Sequence, residues 1–149
     1  MNTPSYVAHI NTQELIEAMP EMKAAKAEIE NLGKTYDFQL QELAKEYDDT
    51  VKQYDAEVST VTDEENQRRI EEVEAMRNSI GQYQANAQQD LQKKEYELLN
   101  PIANKAKAAI LQVARAQGIH YVLDSTDGQG VILADGKDLM ADVRIALGF

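Results

Sequence analysis

The chain has 149 residues, no cysteine and a formal net charge of −11, and it is 43% hydrophobic but only 6% aromatic. That length bounds it to one domain or one extended assembly unit, and the charge argues against general nucleic-acid binding, because phosphate contact needs a basic surface. Lack of cysteine excludes disulfides and thiolate chemistry, and no stretch reaches the roughly 20 apolar residues of a membrane span.

The opening "MNTPSYVAHI" has no basic region followed by an apolar one, so no signal peptide is visible; a mature form would look the same. "YVAHI" reads as a strand. Asn11 then caps a short helix carrying Leu15, Ile16, Ala18 and Met19, with Glu14 placed as in a capping box. Pro20 interrupts that helix and suits the first position of a new one. From there Ile29, Leu32, Tyr36, Leu40, Leu43, Tyr47, Val51, Tyr54, Val58 and Val61 recur at steps of three or four, one face of a long helix. "STVTDEE" breaks the stripe, and Thr62 with Glu65 repeats the capping signature. A second stripe follows through Ile70, Val73, Met76, Ile80, Tyr83, Ala87, Leu91 and Leu98. Two such helices joined by a short turn pack antiparallel as an arm roughly 60 Å long, with its tip near 59–63.

Pro101 falls inside the second helical run, in "LLNPIANKA". It lies as far after Val61 as Pro20 lies before it, within one residue. The two prolines therefore read as an elbow at the base of the arm, where each helix changes direction. Beyond Pro101 an Ala-rich helix leads to Gly118, a natural C-terminal cap. "IHYVLDSTDGQGVILADG" reads as two short strands, Ile119–Asp124 and Gly130–Ala134, around a Gly-rich hairpin turn, and Asp138 as the cap of a terminal helix.

The expected fold is α+β and mostly helical: a helical-hairpin arm over 20–100 and a small strand body from 1–19 with 101–149. A body of about 67 residues is marginal alone. Its strands are apolar on both faces, and a three-stranded sheet leaves open edges. Oligomerisation through the body answers both problems, with Tyr6, Val7, Ile10, Ile119, Tyr121, Val122, Leu123, Val131 and Leu133 as the expected contact residues.

No enzymatic chemistry stands out. His9 and His120 read as packed strand residues rather than metal ligands. "DSTDGQG" fails as a calcium loop, since Gly128 at the glycine position would put Leu123 at the first ligand position. No nucleophile–base set is present, and no cofactor or metal is expected. On the arm, the seam tyrosines hold the helices together, while Phe38, off the stripe, and Met76 are candidates for an exposed binding contact. Gly33 and Gly81 interrupt the helices at about 1 kcal/mol each, and permit either bending or close helix packing.

Three segments carry a family resemblance: "YVAHINTQELIEAMPEMKAA", "NAQQDLQKKEYELLNPIANKAKAAILQVA" and "YVLDSTDGQGVILADGKDLMADV". In that order the chain resembles the Skp/OmpH periplasmic chaperones, in the form found in Bacteroidetes-type bacteria. The resemblance implies a homotrimer with a barrel-like strand core, whose three arms enclose unfolded outer-membrane proteins in the periplasm without ATP. It also implies a signal peptide already removed. The enterobacterial members are basic, whereas Glu42 to Arg69 here holds nine acids against four bases, a net of −5. Contact with anionic membrane or lipopolysaccharide is therefore not expected. Two other readings compete: a structural coiled-coil adaptor binding a folded partner, and a tentacle holdase of the prefoldin kind, whose element order fits less well.

Overall fold

In the computed structural model, residues 6–149 are described; residues 1–5 of the expected body lie outside them. The elements are β1 (Val7–Ile10), α1 (Thr12–Ala18), α2 (Pro20–Glu57), a 3-10 turn (Val58–Thr60), α3 (Asp63–Ala116), β2 (Tyr121–Asp124), β3 (Lys137–Asp138) and α4 (Met140–Leu147). The fold is mostly helical, with long helical arms and a small strand body. Two units separate by contact: residues 28–94, and the two chain ends up to 27 and from 95 onward.

Local chemistry sets the helix boundaries. Asn11 Oδ1 accepts from the Glu14 N–H at 2.9 Å and starts α1. α1 stops because Met19 precedes a proline, which disfavours helical geometry; Met19 is extended at ψ 134° and Pro20 opens α2. α3 begins where the Glu65 N–H donates to Thr62 Oγ1 at 3.1 Å. It ends at Gly118, whose φ of 69° lets the Ile119 N–H close back on the Ala114 carbonyl at 2.9 Å.

The body sheet has the order β2-β1-β3, and both neighbours run parallel to β1. Val7 pairs with Tyr121 and Ile10 with Asp124 on one side, and Ala8 with Lys137 on the other. Ala8 and Ile10 point into the core, where Leu15, Met19, Leu139 and Val143 are fully buried. α3 supplies Ile102, Ala106, Ala109, Ile110 and Val113, a helical spacing of small and branched residues.

This differs from the expected hairpin. No strand forms over Gly130–Ala134; the third strand is Lys137–Asp138, and it pairs with β1 rather than with β2. Gly128 (φ 82°) and Gly130 (φ 95°) hold left-handed backbone, which takes the chain out of strand geometry immediately after the turn. The chain then crosses to the far edge of β1 through residues 125–136, the long connection that parallel pairing needs. Pro101 does not end its helix: α3 runs through it unbroken. The lost hydrogen bond is outweighed by packing on either side, with Ile102 buried and Leu98 and Leu99 against the same core.

A polar knot joins the end of β2 to the start of α1. Asp124 accepts from Thr12 Oγ1 (2.7 Å), the Thr12 N–H (3.2 Å), the Thr126 N–H (3.0 Å) and Thr126 Oγ1 (2.6 Å). Burial pushes the carboxyl up, but the bonds from Thr126 and Thr12 outweigh it and hold it at about 2. A depressed carboxyl supplies stability that is present above its ordinary value of 3.8 and lost as pH falls toward about 2. Asp124→Asn should therefore destabilise the body by about 1–3 kcal/mol at neutral pH. In thermal melts, the gap between variant and wild type should close as pH falls from 4 to 2. A gap that is independent of pH would refute the charged role.

Candidate functional site

The chain offers two surfaces, one on the hairpin and one on the body. In the hairpin unit, α2 and α3 are joined by three polar contacts: Tyr36 with Asp90, Tyr54 with Glu72 (2.8 Å) and Arg69 with Glu57 (2.6 Å). From the first to the second, 18 residues forward in α2 match 18 backward in α3, which is five whole helical turns. The pairs thus return to one face and fix an antiparallel register. Tyr36 also meets Tyr83 edge-on at 6.0 Å. Between these contacts lie the half-buried stripe residues Leu40, Leu43, Tyr47 and Val51, with Val73, Met76, Ile80 and the buried Ala87 on α3; Ile29 and Leu32, before Tyr36, are half-buried too. Ile29, Leu40 and Val51 are spaced by eleven, as are Leu32, Leu43 and Tyr54. That period of about 3.67 is close to the helix's own 3.6, so the seam stays in contact without strong supercoiling.

Two stripe positions depart from this pattern. Val58 and Ile70 are each 53% exposed. Val58 lies past the end of α2, and the neighbouring Arg69 takes the seam position instead, with its side chain 15% exposed. Its guanidinium reaches Glu57, bonds Glu65 at 3.1 Å and lies 4.4 Å over the Tyr54 ring. Arg68 also grips Glu65, and the two arginines hold that carboxyl at about 2. Glu65 therefore does not reach back to Thr62, and the expected capping box is only half made. Val51, Tyr54, Val58, Ile70 and Val73 line a groove of about 300 Å³ beside the turn, with Asp55, Arg69 and Glu74 among its polar members.

The body surface is apolar where β2 faces outward. Tyr6 (63%), Tyr121 (61%) and Leu123 (47%) are exposed, as is Val7, whereas Ile10 is buried and Ile119 and Val122 are half-buried. Tyr6 stacks on His120, whose Nδ1 accepts the Tyr6 N–H at 3.1 Å. Ile10, Ile16, Ala106, Ile110, Val122 and Leu123 contribute to a groove of about 320 Å³ in the same unit. Val131 is half-buried and Leu133 is 74% exposed, both in the loop before β3 and not in a strand.

The remaining expected residues fall as follows. Phe38 is 60% exposed on α2, and Met76 is half-buried in the seam. Pro20 and Pro101 both belong to the body unit, where Lys105 Nζ bonds Glu21 Oε1 at 2.5 Å. A Cβ at Gly33 or Gly81 would meet nothing within 4 Å, so helix packing does not require glycine there. His9 Nε2 lies 3.2 Å from the Gly136 carbonyl. Among the described residues, no group of three or more His, Cys, Asp or Glu could hold a metal, and no helix is long and apolar enough to cross a membrane. Sequence reasoning missed the turn-side groove. The Arg-Arg pair beside a stripe position was the available signal, since a cation drawn into the seam displaces its apolar neighbour.

Residues 6–147 match the family model of outer membrane protein (OmpH-like). The chaperone protein Skp of Photorhabdus luminescens is 26% identical over 137 residues, covering 92% of this chain and 82% of that protein. An OmpH-like outer membrane chaperone from Caulobacter crescentus superposes with a TM-score of 0.86 at 20% identity, covering 99% of this chain and 86% of that one; it shares the fold.

Arg69 ties the two helices next to the turn, so Arg69→Ala should speed amide exchange around residues 54–72. Its partners Glu57 and Glu65 both sit below the ordinary carboxyl value of 4.5. The protection should therefore fade as pH drops below that value in wild type but not in the variant. Equal exchange in both proteins would contradict the tie.

Proposed function

The chain belongs to the OmpH-like family, and on that premise we propose that it is an ATP-independent holdase for unfolded outer-membrane proteins in the periplasm, acting as a homotrimer and not as an enzyme. The observation that carries the reading is that the family match runs from residue 6 to 147, taking in both the helical hairpin and the strand body. In this proposal residues 20–100 form the arm, of which 28–94 is the part separate from the body unit that holds Pro20 and Pro101. The body holds three copies together through the apolar surface of Tyr6, Val7, Tyr121 and Leu123, with Val131 and Leu133 beside it. Two observations support that assignment: a three-stranded sheet leaves open edges, and bulky apolar side chains on its outward face stay exposed in one chain.

Clients are held by apolar contact and confinement, with Phe38 and Met76 on the contact surface. The acidic arm gives no attraction to anionic lipid or lipopolysaccharide. Gly33 and Gly81 let the arm bend to cargo of different sizes.

The direct test is an aggregation assay with an unfolded barrel protein. Stoichiometric trimer should keep it soluble without nucleotide. Lack of suppression would sink the holdase reading and favour a coiled-coil adaptor for a folded partner. The bending role is tested separately. Gly33→Ala with Gly81→Ala meets no steric obstacle and should add about 1 kcal/mol of helix stability at each site. Scattering should show a narrower distribution of arm spread; an unchanged distribution would remove the idea.

A further inference from the structure

Along most of the hairpin, helix covers helix and the apolar stripe is half-buried. Beside the turn that cover fails: Val58 and Ile70 stay 53% exposed and line one groove with Val51, Tyr54 and Val73. The unpaired charges that line it share one sign. Asp55 and Glu74 line the groove, and among the described residues neither is ion-paired. Arg69 is the cation of the lining, and its charge is already taken by Glu57, Glu65 and the Tyr54 ring. The unit around the groove reinforces this sign. Residues 28–94 hold sixteen carboxylates against eight cations, so −8 of the chain's −11 resides there.

We infer that this groove docks an unfolded polypeptide segment in which a bulky apolar side chain is flanked by lysine or arginine. The inference rests on the holdase reading and adds a sequence preference to it. A groove of about 300 Å³ is at the small end of binding pockets and takes a side chain or two, not a folded surface. The apolar side chain covers what Val58 and Ile70 leave open. The flanking cations meet Asp55 and Glu74 in a field that repels acidic segments, nucleic acid and anionic lipid alike. Both carboxylates are exposed, so the charge preference weakens with salt.

The test uses the full chain and two short fluorescent peptides of one apolar pattern, one flanked by lysines and the other by glutamates, read by anisotropy. The lysine peptide should bind about tenfold tighter at low salt, from the several like-signed charges near the groove. Asp55→Asn with Glu74→Gln should reduce that preference about fivefold. Val58→Ser with Ile70→Ser should weaken both peptides and leave their ratio alone. All four residues are exposed or at the groove rim, and unchanged thermal unfolding confirms that each variant is folded. Equal binding of the two peptides, or a preference untouched by Asp55→Asn with Glu74→Gln, overturns the inference. If wild type still suppresses barrel-protein aggregation in that case, the holdase reading stands without the groove. If the peptide preference holds but suppression is absent, the holdase reading alone falls.

Discussion

The body depends on one strand. β1 is the centre of the sheet, and both β2 and β3 pair only with it. Its partners lie more than a hundred residues away, so the sheet forms only when the two ends of the chain meet. The Asp124 knot fastens that meeting, because it bonds the backbone at the start of α1 to the turn after β2. Everything between, from residue 28 to 94, is a separate unit that the core does not use. This division frees the hairpin surface from the demands of folding the body, and its sequence can be spent on charge and contact.

The hairpin's own stability comes from a narrow seam. Its apolar positions are mostly half-buried rather than buried, with Ala87 the buried residue of this unit. Tyrosine suits such a seam because its ring packs while its hydroxyl finds a carboxylate across the interface, as Tyr36 and Tyr54 do. Each such bond spends a carboxylate inside the hairpin and leaves many others facing water. The result is an arm with a strong negative field and a thin apolar lining.

Much of this was legible in the sequence, where local chemistry and periodicity acted alone. The stripe from Ile29 to Tyr54, the cap at Asn11, Pro20 at a helix start and Gly118 at a helix end all follow from short-range rules. The failures came where distant partners decide. Lys137 and Asp138 carry no apolar signal, and only the backbone of β1 makes them a strand. Val131 and Leu133 look like strand residues, but Gly128 and Gly130 turn the chain before them. Pro101 stays inside a helix because Ile102 and its neighbours pack on a core built from elsewhere in the chain. Ile70 fits the period but gives up its place to Arg69, whose partners are Glu57 and Tyr54 on the other helix.

The proposed assembly stands on one point: a three-stranded sheet with Tyr121 and Leu123 exposed on it, and Tyr6 exposed beside it, would be completed by other copies. The mass of the full chain in solution tests this most directly. Sedimentation equilibrium should give three times the 16.7 kDa of a single chain across the working concentration range. A stable species of 16.7 kDa would contradict the account.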